Sequence, residues 1–105
     1  MLKIPTFADP FYTVRVSLDG LTYGLAFQWS TVESRWYISL EDSEGNSLTR
    51  AQKIRSNWPL FEGYGGRARP PGRLAAIATD YAPPGLDDFG IGKRVQLCYF
   101  PEGEL

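Results

Sequence analysis

Histidine is absent from this 105-residue chain, and cysteine occurs once, at Cys98. Without histidine there is no Ser-His or Cys-His dyad, no imidazole for zinc, and no side chain of the commonest general-base type. With a single cysteine, no disulfide closes within the chain and no cysteine-based zinc site can be assembled. That usage fits synthesis in a reducing compartment. No run approaches the ~20 apolar residues that cross a bilayer as a helix. The opening Met1-Leu2-Lys3-Ile4-Pro5 carries one lysine and no apolar stretch before Pro5, so a classical export signal is not expected. Neither sign of charge dominates. The 11 basic and 12 acidic residues give a formal net charge of -1, which implies no whole-domain attraction to nucleic acid or to an anionic membrane.

What is present is apolar and aromatic. Hydrophobic types make up 43% of the chain and aromatics 14%, enough for a core without disulfide or metal staples. The length fits one β domain over residues 1–105 and is too short for two. With 11 glycines and 8 prolines, many turns are expected, whereas a coiled coil and a disordered tail are excluded by composition.

Period-2 alternation is the clearest local signal. Tyr12, Val14, Val16 and Leu18 fall on one face of the run from Phe11, and Thr13, Arg15 and Ser17 on the other, the pattern of a half-buried strand. Asp19-Gly20 follows, a favoured type I′ turn because glycine tolerates positive φ. Tyr23, Leu25, Phe27 and Trp29 then alternate with Thr22, Gly24, Ala26 and Gln28. Phe11 to Trp29 therefore reads as a β-hairpin. A third strand is expected from Arg35 to about Glu41, with Trp36, Ile38 and Leu40 inward and Tyr37 outward, ending in the turn cluster Asp42-Ser43-Glu44-Gly45-Asn46. Three strands alone barely offset the ordering cost of their backbone, so a second layer must cover this meander.

The second half is less regular. Leu48 to Arg55 reads as a short strand or a turn, and Pro59 rules out a clean central strand around Trp58-Pro59-Leu60-Phe61. Gly63 to Gly72 reads as a loop, Leu74 to Thr79 as a strand of small residues, and Asp80 to Gly92 as a second loop. Val95, Leu97 and Tyr99 mark a closing strand, and Glu102 to Leu105 a frayed tail. Six or so short strands with turns between them imply an all-β fold, a small antiparallel β-sandwich or a partly closed β-barrel built on the N-terminal three-stranded meander.

Few residues propose themselves for chemistry. Acidic residues gather at Glu41, Asp42 and Glu44 and at Asp80, Asp87 and Asp88. Their spacing misses that of a calcium loop, so they read as solvated turns. Gly63, Gly65 and Gly66 run into Arg-Pro-Pro rather than a helix N-terminus, which argues against a phosphate cradle. No catalytic residue, metal ligand or cofactor site can be named. Trp29, Trp36 and Trp58 are expected in the core or at its rim. Cys98 reads as a structural thiol. The one local basic concentration is Arg67, Arg69 and Arg73, with Tyr64 beside them and Arg50, Lys53 and Arg55 upstream. Arginines among aromatics serve single-stranded nucleic-acid grooves and anchor protein interfaces. They also occur in solvated loops without a partner.

The order of these features resembles the phage baseplate plug family. The resemblance rests on Ile4-Pro5, the strand from Phe11 to Leu18, Asp19-Gly20, Tyr23-x-Leu25, Phe27-x-Trp29, Trp36-x-Ile38-x-Leu40 and Asp42-x-x-Gly45. Asp88-Phe89-Gly90 and Val95-x-Leu97-x-Tyr99 are similar to the family's closing segment, whereas Trp58-Pro59-Leu60-Phe61 and Arg67 to Arg73 depart from its middle. What the resemblance implies is a non-catalytic structural protein of the virion tail baseplate, made in the bacterial host cytoplasm. It would sit near the tail axis against hub, spike or tube proteins, in an arrangement with threefold symmetry. On that reading Tyr64, Arg67, Arg69 and Arg73 face the partner. An OB-like module for single-stranded nucleic acid is the alternative, and would show steep salt dependence.

Overall fold

The computed structural model describes residues 1–61 and 70–104. Its strands are β1 (Leu2–Ile4), β2 (Phe11–Leu18), β3 (Leu21–Ser30), β4 (Arg35–Glu41), β5 (Gln52–Lys53), β6 (Pro59–Leu60), β7 (Arg73–Ala78) and β8 (Val95–Phe100). They form two four-stranded antiparallel sheets, one ordered β2-β3-β4-β5 and the other β1-β8-β7-β6. Both sheets are open, so the choice between sandwich and barrel falls to the sandwich.

The first sheet follows directly from the alternation. Tyr12 pairs with Phe27, Val14 with Leu25 and Val16 with Tyr23, which brings both apolar sets to one face. Leu18 pairs with Leu21 across Asp19 and Gly20, whose φ values of 52° and 83° are those a type I′ turn requires. On β4, Trp36, Ile38 and Leu40 are buried and the residues between them are not. At the Asp42–Asn46 turn, the Asp42 carboxylate accepts from the amides of Glu44 and Asn46, each at 2.9 Å. That satisfies a turn backbone in the way asparagine and aspartate commonly do.

The second sheet supplies the covering layer. β8 lies inside it, between β1 and β7. Val95, Leu97 and Tyr99 face the core, while Cys98 is shielded on the outer face by Lys3 and Ala75 at the same register. The shared core joins Leu25, Phe27, Trp36, Ile38 and Leu40 from one sheet to Ile4, Leu74, Ala76, Leu97 and Tyr99 from the other. Phe89, from the loop before β8, sits 6.3 Å from both Phe27 and Trp36 by ring centroids. The buried Trp36 indole N–H donates to the Gly85 carbonyl at 2.9 Å, so this large ring enters the core without an orphaned donor.

Four expectations need correction. β1 was not foreseen, since three residues carry too little periodicity and the strand exists by pairing with β8. Among the described residues the strands number eight, against the six or so expected. Residues 102–104 form a 3₁₀ turn instead of a frayed end. Trp58 is 57% exposed and belongs neither to the core nor to its rim. Of the Gly63–Gly72 loop, residues 63–69 lie outside the described residues.

Candidate interaction groove

Between β5 and β6 the chain passes from the edge of one sheet to the edge of the other. The crossing is pinned on both sides. Ile54 donates its amide to the Trp36 carbonyl at 2.9 Å, and the Ser56 hydroxyl donates to the Ala82 carbonyl at 2.6 Å. Asn57 adopts φ 64°, a left-handed conformation that asparagine tolerates better than most residues. Its side chain is held at both ends, accepting from the Ala78 amide at 3.0 Å and donating to the Asp80 carbonyl at 2.9 Å. This reversal breaks the alternation. Ile54 and Leu60 are buried, whereas Trp58 is turned out. Pro59, which has no N–H to offer a sheet neighbour, opens an edge strand where none is needed.

Two shallow depressions adjoin at Trp58. One, of about 260 Å³, runs along Gln52, Lys53, Arg55 and Pro59. The other, of about 220 Å³, is bounded by Arg35, Lys53, Arg55, Tyr81 and Pro83. Lys53, Arg55 and Trp58 line both. Tyr81, 79% exposed, is presented by a loop that Arg94 secures. The Arg94 guanidinium reaches Asp80 at 2.6 Å, Asp88 at 2.8 Å and the Pro83 carbonyl at 2.8 Å. Asp80 and Asp88 are therefore structural anchors rather than merely solvated. Desolvation opposes ionisation of Asp88, but hydrogen bonds from Arg94 and from the Gly85 amide outweigh it and hold the carboxyl below its usual range.

The groove's cations are not equivalent. Lys53 lies 2.9 Å from Glu33 and 5.9 Å from the centre of the Tyr37 ring, and the Tyr37 hydroxyl donates to Glu33 at 2.6 Å. Hydrogen bonds from Tyr37 and then Lys53 lower the Glu33 pKa, while Glu33 raises those of Tyr37 and Lys53. The outward ring of Tyr37 is thus held within this cluster on the sheet's outer face. Arg35 and Arg55 have no ion pair or hydrogen-bonded partner among the described residues. Two unpaired guanidiniums beside an exposed indole and an exposed phenol can bind carboxylates and cover apolar side chains. No nucleophile with a neighbouring base lies among them. Among the described residues, no three of Cys, Asp and Glu are grouped to hold a metal ion.

Of the residues expected to face a partner, Arg73 is among those described. Arg73 is exposed at the start of β7, opposite Phe100, and lines neither depression. Pro59 pairs with Ala75, so Arg73 is two residues, or about 7 Å along the strand, from that rung. Tyr64, Arg67 and Arg69 lie outside the described residues. Trp58, Tyr81 and Arg35 were missed as site residues. The sequence signal for Trp58 was its position between Asn57 and Pro59, where a turn and an edge position coincide. Tyr81 sits beside a loop whose packing depends on Arg94, thirteen positions later, and no local pattern marks it.

No curated protein matches the chain. Residues 1–102 match the family described as Cyanophage baseplate Pam3 plug gp18. The match covers both sheets, the crossing between β5 and β6, and the loop that presents Tyr81. The chain belongs to this family of phage baseplate plugs, structural proteins of the virion tail baseplate.

Proposed function

We propose that the chain is a non-catalytic plug that docks near the tail axis against hub, spike or tube proteins through the groove around Trp58. The observation that carries this reading is that Arg35 and Arg55, without an ion pair or hydrogen-bonded side-chain partner among the described residues, line one depression with the exposed Trp58 and Tyr81. Arginine, tryptophan and tyrosine are the residue types that dominate binding energy at protein interfaces. A plug needs such a surface more than it needs a reactive centre. Its supporting structure is built to keep the groove rigid: Asn57, Ser56 and Arg94 tie the crossing and the Tyr81 loop to the sheets. On this reading Tyr64, Arg67, Arg69 and Arg73 also face the partner, and the chain acts as one domain made in the host cytoplasm and assembled in threefold copies.

The test is assembly with folded variants. Trp58→Ala and Arg55→Ala should each unfold at close to the wild-type midpoint, because both side chains are exposed. Each should also reduce incorporation into tails by about tenfold or more, as expected of an interface residue worth ~1.4 kcal/mol or above. Wild-type assembly and infectivity in both variants would remove the groove from the docking surface.

A further inference from the structure

The groove's chemistry narrows what it receives. We infer that it takes an extended acidic segment of a neighbouring baseplate protein, with carboxylates on Arg35 and Arg55 and an apolar side chain against Trp58. The inference rests on the docking reading above and specifies its partner.

Charge complementarity is the first argument. The half-buried Arg94 is fully engaged: it meets two carboxylates and two carbonyls. Arg15 reaches the Ser43 carbonyl at 3.1 Å. Arg35 and Arg55 have no such engagement among the described residues, yet they line the same depression. A guanidinium presents a planar fork that fits a carboxylate with two hydrogen bonds. Among the described residues, Glu33 is the acid that meets the groove's cations: it bonds to Lys53 and Tyr37 and acts on Arg35 only through space. Among the described residues no carboxylate hydrogen-bonds to the Arg35 or Arg55 guanidinium, which leaves both forks open to an external carboxylate.

The shape supplies the second argument. Two adjoining depressions that share Lys53, Arg55 and Trp58 offer more than one seat to a single extended chain, whose alternate side chains fall on the same face. An exposed indole in the same depression as two guanidiniums favours a segment that carries both an apolar side chain and acids. A nucleic-acid strand fits less well. Two uncommitted cations would release few counterions, and the chain as a whole carries a net charge of -1.

Zero-length cross-linking of intact particles tests this directly. A carbodiimide joins an amine to a carboxylate only where they touch, and Lys53 is the groove's amine. Beside the Lys53–Glu33 link that their 2.9 Å contact allows within the chain, the expected product links Lys53 to an aspartate or glutamate of another baseplate protein. In parallel, Arg55→Glu should lower the copies per particle at least tenfold, and Arg55→Lys, which keeps the charge but not the planar fork, should restore them only in part. A Lys53 link solely to Glu33 of its own chain, with Arg55→Glu incorporated at the wild-type level, overturns the inference while leaving the plug reading intact. Absence of the wild-type chain from particles overturns the plug reading and this inference with it. Salt-sensitive retention of a single-stranded oligonucleotide by the isolated protein, abolished by Arg55→Glu, overturns it in favour of nucleic acid.

Discussion

Tyr99, in the second sheet, donates its hydroxyl to the carboxylate of Asp19, 80 residues earlier in the first sheet's hairpin turn, at 2.5 Å. The same oxygen accepts the Gly72 amide at 2.8 Å. One phenol thus fastens the turn between β2 and β3 to the strand entry of β7. Gly72 makes this possible because a Cβ there would lie 2.1 Å from the Phe100 carbonyl oxygen and 2.7 Å from the Tyr99 hydroxyl.

Tyr99→Phe should therefore cost about 1.5–3 kcal/mol, the range for a hydrogen bond to a charged group, since it also leaves the buried Gly72 amide unpaired. Urea unfolding measures this. A loss below ~0.5 kcal/mol would mean that the sheets are held by apolar packing alone.

The tryptophans separate core from surface. Trp36 is fully buried and Trp58 is 57% exposed. Trp36→Ala should cost about 3–5 kcal/mol, whereas Trp58→Ala should stay within ~0.5 kcal/mol of wild type. Acrylamide should quench the emission contributed by Trp58 readily and that of Trp36 only after unfolding. Equal stability losses in the two variants would contradict the outward placement of Trp58.

Stability should be flat between roughly pH 5 and pH 8, because no histidine titrates there. Below that range it should fall. In the folded chain, amide hydrogen bonds from the Asn46 turn hold Asp42 below its ordinary pKa, and Arg94 and Gly85 do so for Asp88 against desolvation. A depressed folded pKa contributes stability above the unfolded value of ~3.9 that is lost as pH drops through the folded one. Asp88→Asn should flatten part of this acid limb. On the alkaline side, burial raises the pKa of the Cys98 thiol, and burial with the Asp19 hydrogen bond raises that of Tyr99. Stability should decline there as pH climbs past the unfolded values of ~8.5 and ~10. A stability change centred between pH 6 and pH 7 would contradict this account.

Cys98 is 3% exposed and its thiol pKa is raised by burial, so thiolate chemistry is suppressed twice over. A thiol reagent should modify it at the rate of opening in native buffer and rapidly in denaturant. Immediate modification of the native protein would place Cys98 at the surface.

The hairpin and third strand were legible because Phe11 to Glu41 carries a two-residue period long enough to define faces, and Asp19-Gly20 fixes the register. β1, β5 and β6 span three, two and two residues. Such short strands are set by distant partners, as Leu2 by Tyr99 and Pro59 by Ala75, and no local pattern encodes them. The groove was half legible. Lys53 and Arg55 stood out as basic neighbours of the arginine-rich segment. Trp58 looked like core because its aromatic bulk outweighed a backbone reversal at Asn57 that only the hydrogen bonds to Ala78 and Asp80 explain. The position of Tyr81 depends on Arg94, whose two carboxylate partners lie in the preceding loop.

Quantitative mass spectrometry of purified, salt-washed particles tests the central claim most directly. The chain should be retained at a few copies per tail, in fixed ratio to hub and spike proteins. Its presence in infected cells together with its absence from washed particles would contradict it.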